Sequence, residues 1–168
     1  MQWLVHEHSS QNKIGSVLLE PVLQCAGGMK WVDPLWQRAM MEIAESRSIP
    51  VIFDESSVGM YRLGTESCRT ALKKDPDIAV YSKLLTGGLV PFCAILTTKK
   101  VFESTKEGEE LNFANGNTFI APPIACVTAL LALSTYRERL NERPGMTATG
   151  AAVYFEEQQV RELSLLSM

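Results

Sequence analysis

The sequence predicts an α/β fold, a mostly parallel sheet flanked by helices, and three observations carry the prediction. Short apolar runs at Val17–Leu19, Val51–Phe53, Ile78–Tyr81 and Phe92–Thr97 are separated by segments of helical spacing or by turn residues. Two of these runs are almost wholly apolar and then break into charge, at Asp54-Glu55 and at Lys83. That is the form of buried parallel strands whose C-terminal ends open into a site. No repeat or low-complexity tract suggests a solenoid or a fibrous chain.

The elements follow in order. Val17-Leu18-Leu19 reads as a strand stopped by Pro21, and Gln24 to Met29, with Gly27-Gly28, as a glycine-rich loop. Asp33-Pro34 opens a helix, an acidic N-cap followed by a first-turn proline, with Leu35, Ala39, Met40, Ile43 and Ala44 at helical spacing. That helix should end near Arg47-Ser48. Pro50 precedes the strand Val51–Asp54, and Gly59 and Gly64 punctuate the loop after it. Glu66 to Lys74 reads as a short helix, and Asp75-Pro76-Asp77 turns into the strand Ile78–Ser82. Gly87-Gly88 makes a turn before the strand Phe92–Thr97, and Lys99–Thr105 forms a short helix. Glu107–Asn117 is a polar loop. Pro122-Pro123 starts an apolar helix to about Arg139, Asn141–Gly145 breaks it, and an amphipathic helix spans about Ala151–Leu166.

Composition narrows the function. The chain has 168 residues, 46% hydrophobic and 21% charged, with 19 acidic against 16 basic residues and a net charge of -3. This is a globular composition, with no basic stripe to neutralise nucleic-acid phosphates. No apolar stretch approaches the roughly 20 residues needed to span a bilayer, so no membrane partner is expected. Residues 1–8 carry no basic n-region or sustained apolar segment, so no targeting signal is read there. Cys25, Cys68, Cys93 and Cys126 lack zinc-type spacing and read as reduced, mostly buried thiols in an intracellular compartment. His6 and His8 are given no metal-binding role.

Three features converge where open α/β sheets place their ligands. Asp54, directly after an apolar strand, needs a cation or strong donor, and taken alone it reads equally as a salt-bridge partner or an N-cap. Lys83, in an apolar niche, could act as an amine nucleophile toward an aldehyde, although lysines commonly snorkel to water. Asn115-Gly116-Asn117-Thr118, before a proline-started helix, suits a phosphate or an ordinary cap. Together they supply what pyridoxal phosphate requires: a counter-ion for the ring nitrogen, a lysine for the aldehyde and a phosphate anchor.

The ordered series Glu20-Pro21-Val22, Ala26-Gly27-Gly28-Met29, Val32-Asp33-Pro34-Leu35, Ile49 through Glu55, Arg62-Leu63-Gly64 and Lys83 through Gly88 resembles the class III, fold type I aminotransferases. Within them it is most similar to the diaminopelargonate-forming branch of biotin synthesis, in its eukaryotic bifunctional form. The resemblance covers roughly Val17 to Leu133. It implies a transaminase moving an amino group from a small-molecule donor, with S-adenosylmethionine among the candidates, to a keto acceptor, 8-amino-7-oxononanoate. It implies that Asp54 pairs with the pyridine nitrogen and that Lys83 binds the cofactor covalently. Thr118 would hold the phosphate across a homodimer interface, with Ser56 and Asn117 also at the cofactor. Mitochondrial placement is implied by the bifunctional relatives, with the cytoplasm as the other possibility.

Several positions depart from the family pattern. Ser56 stands where a valine packs on the ring, Asn115 and Asn117 replace histidines, and Cys25 replaces a glycine. Relative to the family the chain reads as part of the major, cofactor-binding domain, truncated at both ends. Residues 1–140 would belong to that domain and residues 141–168 to a linker and the start of a C-terminal small domain. Unpaired sheet edges and uncovered apolar faces are then expected. Two other readings stay open: another class III ω-aminotransferase, and a non-catalytic remnant or dimerisation module.

Overall fold

The computed structural model describes residues 14–104 and 120–142. Four strands form the main sheet: β1 (Val17–Leu19), β4 (Val51–Asp54), β5 (Ile78–Tyr81) and β6 (Ala94–Thr97), in the spatial order β1-β4-β5-β6. β1, β4 and β5 are parallel, with Leu19 beside Phe53 and Phe53 beside Ala79, whereas β6 runs antiparallel to β5 with Ala94 beside Tyr81. The mostly parallel α/β sheet predicted from the apolar runs is therefore present.

The helix α1 (Pro34–Ser46) follows from its cap, since Asp33 Oδ1 accepts the N–H of Leu35 at 2.8 Å and Pro34 occupies the first turn. Its buried stripe differs from the expected one. Gln37, Met41 and Ala44 face inward, while Leu35 is 71% exposed. The polar Gln37 belongs inside because its side chain meets two backbone groups, accepting from Val22 N at 2.8 Å and donating to Glu20 O at 2.9 Å. Met41 and Ala44 pack with Leu19, Val51, Phe53 and Leu72 in one core cluster.

Three further departures have local causes. The expected loop Gln24–Met29 is the tip of a small antiparallel hairpin, β2 (Leu23–Gln24) with β3 (Lys30–Trp31). The helix expected over Glu66–Lys74 shrinks to α2 (Arg69–Leu72), because Glu66 and Ser67 are drawn into contacts with the loop after β4 and Lys73 turns left-handed at φ 51°. After β5 the chain forms a 3-10 turn, Lys83–Thr86, closed by Gly87 at φ 63°, where a residue with a Cβ is strained.

The helices α3 (Lys99–Ser104) and α4 (Pro123–Glu142) complete the described residues. α4 begins at the predicted proline pair and continues beyond the predicted end near Arg139. Its Ala129 joins Met60, Ala79, Tyr81 and Leu85 in a second core cluster, with Leu133 and Tyr136 packed against it. Tyr136 Oη donates to Leu84 O at 2.8 Å and pins α4 to the 3-10 turn.

The sheet edges β1 and β6 are unpaired on their outer sides among the described residues, and Leu18, Ile95 and Leu96 are exposed. So are Ile124, Val127, Leu130 and Leu131 on α4, as the predicted uncovered apolar faces require. Among the described residues no helix is long and apolar enough to cross a membrane. The expected loop Glu107–Asn117, the helix Ala151–Leu166, and His6 and His8 lie outside the described residues.

Candidate active site

Asp54 ends β4 and Lys83 lies two residues beyond the end of the adjacent parallel strand β5, so both sit at one C-terminal edge of the sheet. The topology that creates this edge also gives it somewhere to bind a ligand. Asp54 is half-buried, and its Oδ1 accepts the N–H of Ser56 at 3.0 Å, which turns the chain sharply after the strand and fixes the carboxylate. Ser56 is half-buried beside it.

Glu55 points the other way into the interior and is only 1% exposed. Its carboxylate accepts from Ser67 Oγ at 2.6 Å, from Cys68 N at 2.8 Å and from Tyr81 Oη at 3.2 Å. Its own N–H donates to Val80 O at 2.9 Å. One buried side chain thus joins the end of β4 to the end of β5 and to the start of α2. Burial, with Glu55 as a smaller contribution, pushes the Cys68 thiol far above its usual range. Burial likewise raises the Tyr81 phenol, and the Glu55 carboxylate adds to that rise. Gly59 packs tightly nearby: a Cβ there would lie 3.0 Å from both Glu55 O and Tyr81 Cδ1.

Lys83 is exposed rather than held in an apolar niche, which corrects the sequence-based expectation. The 3-10 turn explains the difference, because it carries Leu85 into the core cluster with Tyr81 and Ala129 and leaves Lys83 on the open side. Lys83 itself has a left-handed backbone at φ 49°, a strained conformation for a residue with a Cβ. Hydrogen bonds from Gly88 N to Lys83 O at 3.0 Å and from Thr86 Oγ1 to Val90 O at 2.7 Å hold the turn. The Lys83 Nζ donates to Ser57 Oγ, across from the loop after β4.

Lys83 lines an open cleft of about 760 Å3 together with Ser82, Val90, Phe92, Cys93 and Ile120. This volume lies within the roughly 300–1,000 Å3 of small-molecule sites. Cys93, expected among the buried thiols, is exposed here because it precedes β6 at the cleft wall. Although the residue is exposed, partial desolvation of the sulfur raises its thiol, and the negative charge of Asp54 adds a smaller rise. A second cleft, of about 710 Å3, lies near Val51 at the opposite end of β4, with Lys73, Lys74 and Lys100 mixed among Glu45, Asp75 and Asp77. Opposing charges side by side at the wrong end of the sheet do not make it the better candidate.

The structure therefore brings Asp54, Ser56 and Lys83 to one edge, while Asn117 and Thr118 lie outside the described residues. Sequence reasoning missed Ser57, whose partner is 26 residues away, and the structural use of Glu55. The only signal for either was a pair of hydroxyls next to two strand-end acids. Among the described residues no cluster of His, Cys, Asp and Glu could hold a metal ion.

Comparison with known proteins agrees with the mostly parallel α/β fold. The bifunctional dethiobiotin synthetase/7,8-diamino-pelargonic acid aminotransferase, mitochondrial, of Oryza sativa subsp. japonica is 40% identical over 131 residues, 77% of this chain and 16% of that protein. The adenosylmethionine-8-amino-7-oxononanoate aminotransferase of Buchnera aphidicola subsp. Acyrthosiphon pisum is 34% identical over 70% of this chain and 27% of its own length. This chain thus spans less than a third of either relative. Among solved structures, an (S)-enantioselective omega-transaminase from Thermomicrobium roseum superposes with a TM-score of 0.74 and 27% identity, over 83% of this chain and 31% of that one. Residues 2–150 match the family described as Aminotransferase class-III. With a strand-end aspartate and lysine on a mostly parallel sheet, and with that match running over most of its length, the chain belongs to the class III aminotransferase family.

Proposed function

We propose that this chain forms the cofactor-binding core of a pyridoxal-phosphate-dependent aminotransferase, and that the complete protein transfers an amino group to 8-amino-7-oxononanoate in biotin synthesis. The observation that supports it most is the placement of Asp54 and Lys83 on adjacent parallel strand ends. The residues present suit the cofactor: a half-buried carboxylate, an accessible amine and an open cleft of small-molecule size.

When bound, pyridoxal phosphate supplies an aldehyde and an electron-accepting ring. The chain's own groups do the rest. Asp54, fixed by the Ser56 N–H, would hold a proton at the ring nitrogen by its negative charge. Lys83 would provide the amine that holds the cofactor's aldehyde, and the same amine would serve to move a proton at the substrate carbon. Thr118, Asn117 and Ser56 belong to the same reading as further cofactor contacts, with Thr118 reaching the phosphate from the second subunit of a homodimer. Residues 1–140 would then be the large-domain portion and residues 141–168 the linker toward a small domain. S-adenosylmethionine is the amino donor to test first. The plant relatives are named mitochondrial, which favours that compartment over the cytoplasm.

Titration with pyridoxal phosphate, followed by absorbance, tests the site. The native chain should develop a long-wavelength band that Lys83→Ala abolishes and that Asp54→Asn weakens and makes more pH-dependent. Identical spectra for all three would overturn the assignment. Amino transfer from S-adenosylmethionine, compared with transfer from ω-amino acids, separates the biotin branch from the ω-aminotransferase reading in the complete protein.

A further inference from the structure

The contact between Ser57 and Lys83 joins the loop after β4 to the turn after β5. Ser57 is half-buried in the turn after β4, and Lys83 is exposed at the start of the 3-10 turn after β5. Their side chains nevertheless meet, with the Lys83 Nζ donating to Ser57 Oγ. An exposed lysine gives up rotamer freedom when it settles on one acceptor, so its backbone must aim it there. Here the backbone does so, because Lys83 is held at φ 49° by the hydrogen bonds that close the turn. The Ser57 side is fixed equally well, since the Ser56 N–H is tied to Asp54 and Glu55 is locked into the interior.

We propose that Ser57 is a positioning residue for Lys83, holding its amine at the mouth of the cleft so that an aldehyde is captured there in preference to the other lysines. The proposal rests on the reading of Lys83 as the lysine that binds the cofactor. The arrangement also gives the amine a defined place to return to each time it is released. Ser57 touches no reacting atom. It acts through Lys83 alone.

The test uses the whole chain with Ser57→Ala, Ser57→Thr and Lys83→Ala. One measurement is the rate at which pyridoxal phosphate becomes fixed at Lys83 on borohydride reduction, read peptide by peptide by mass spectrometry. The other is acetylation by N-acetoxysuccinimide, which needs no aldehyde geometry, with Lys99 and Lys100 as internal references. Ser57→Ala should slow capture at Lys83 by about threefold to tenfold, the range for loss of one hydrogen bond. In the same variant acetylation of Lys83 relative to Lys100 should rise, because the amine is freed. Ser57→Thr should restore both. A urea unfolding midpoint for Ser57→Ala equal to that of the native chain separates this effect from general damage to the fold, which would also free the amine and slow capture.

Capture by Ser57→Ala at the native rate, or a parallel fall in both rates, would overturn the proposal. If the native chain itself captures nothing at Lys83, the reading of that lysine fails and the proposal falls with it. This outcome is distinct from native capture that Ser57→Ala leaves unchanged.

Discussion

Replacing Glu55 with alanine removes one acceptor from three donors at once, and the structure sets the size of the effect. The Cys68 N–H, 2.8 Å from the carboxylate, is fixed at the start of α2 and cannot turn to another acceptor. Leaving it unsatisfied in the interior costs about 1–3 kcal/mol. The hydroxyls of Ser67 and Tyr81 can rotate, so each loses about 0.5–1.5 kcal/mol. Relief of the buried charge offsets part of the sum. A net loss of about 2–4 kcal/mol is expected, against about 1–2 kcal/mol for Glu55→Gln, which keeps the volume and one acceptor. Equilibrium unfolding in urea, followed by circular dichroism, measures both. If Glu55→Ala lies within about 0.5 kcal/mol of the native chain, or if glutamine is as damaging as alanine, the idea that this carboxylate ties the two strand ends together is wrong.

Two further outcomes are expected. Phe53→Ala should destabilise the chain by about 3–5 kcal/mol in the same assay, because the ring is fully buried between α1 and the sheet. Asp54→Asn should speed alkylation of Cys93 by iodoacetamide at pH 8: Asp54 raises this thiol, so removing its charge lowers the thiol and increases the reactive thiolate. Burial is the larger cause of the rise, so the gain should be modest, about twofold to threefold, with Cys68 unlabelled throughout.

The parts of the fold that were legible in the sequence are those with a simple period or a hard stop. Val51–Asp54 and Ile78–Tyr81 are apolar runs ending in charge, and Asp33-Pro34 is a cap followed by a first-turn proline. The hairpin Leu23–Trp31 was illegible because two-residue strands carry no periodicity. The buried stripe of α1 was misread because Gln37 is polar, and only its two backbone partners make its burial favourable. Asp54 and Lys83 stood out as charges at strand ends. The exposure of Lys83 did not, since the 3-10 turn that rotates it outward is pinned by Tyr136, 52 residues away in sequence. Ser57 was hidden for a related reason: an ordinary serine acquires its meaning only when β4 and β5 lie side by side.

The claim that this strand-end edge is a cofactor site is tested most directly by mixing the chain with pyridoxal phosphate, reducing with borohydride and mapping the modified residue by mass spectrometry. A single adduct on Lys83, lost in Lys83→Ala, is the result predicted. Labelling spread evenly over surface lysines such as Lys73, Lys99 and Lys100, or no labelling at all, would contradict it.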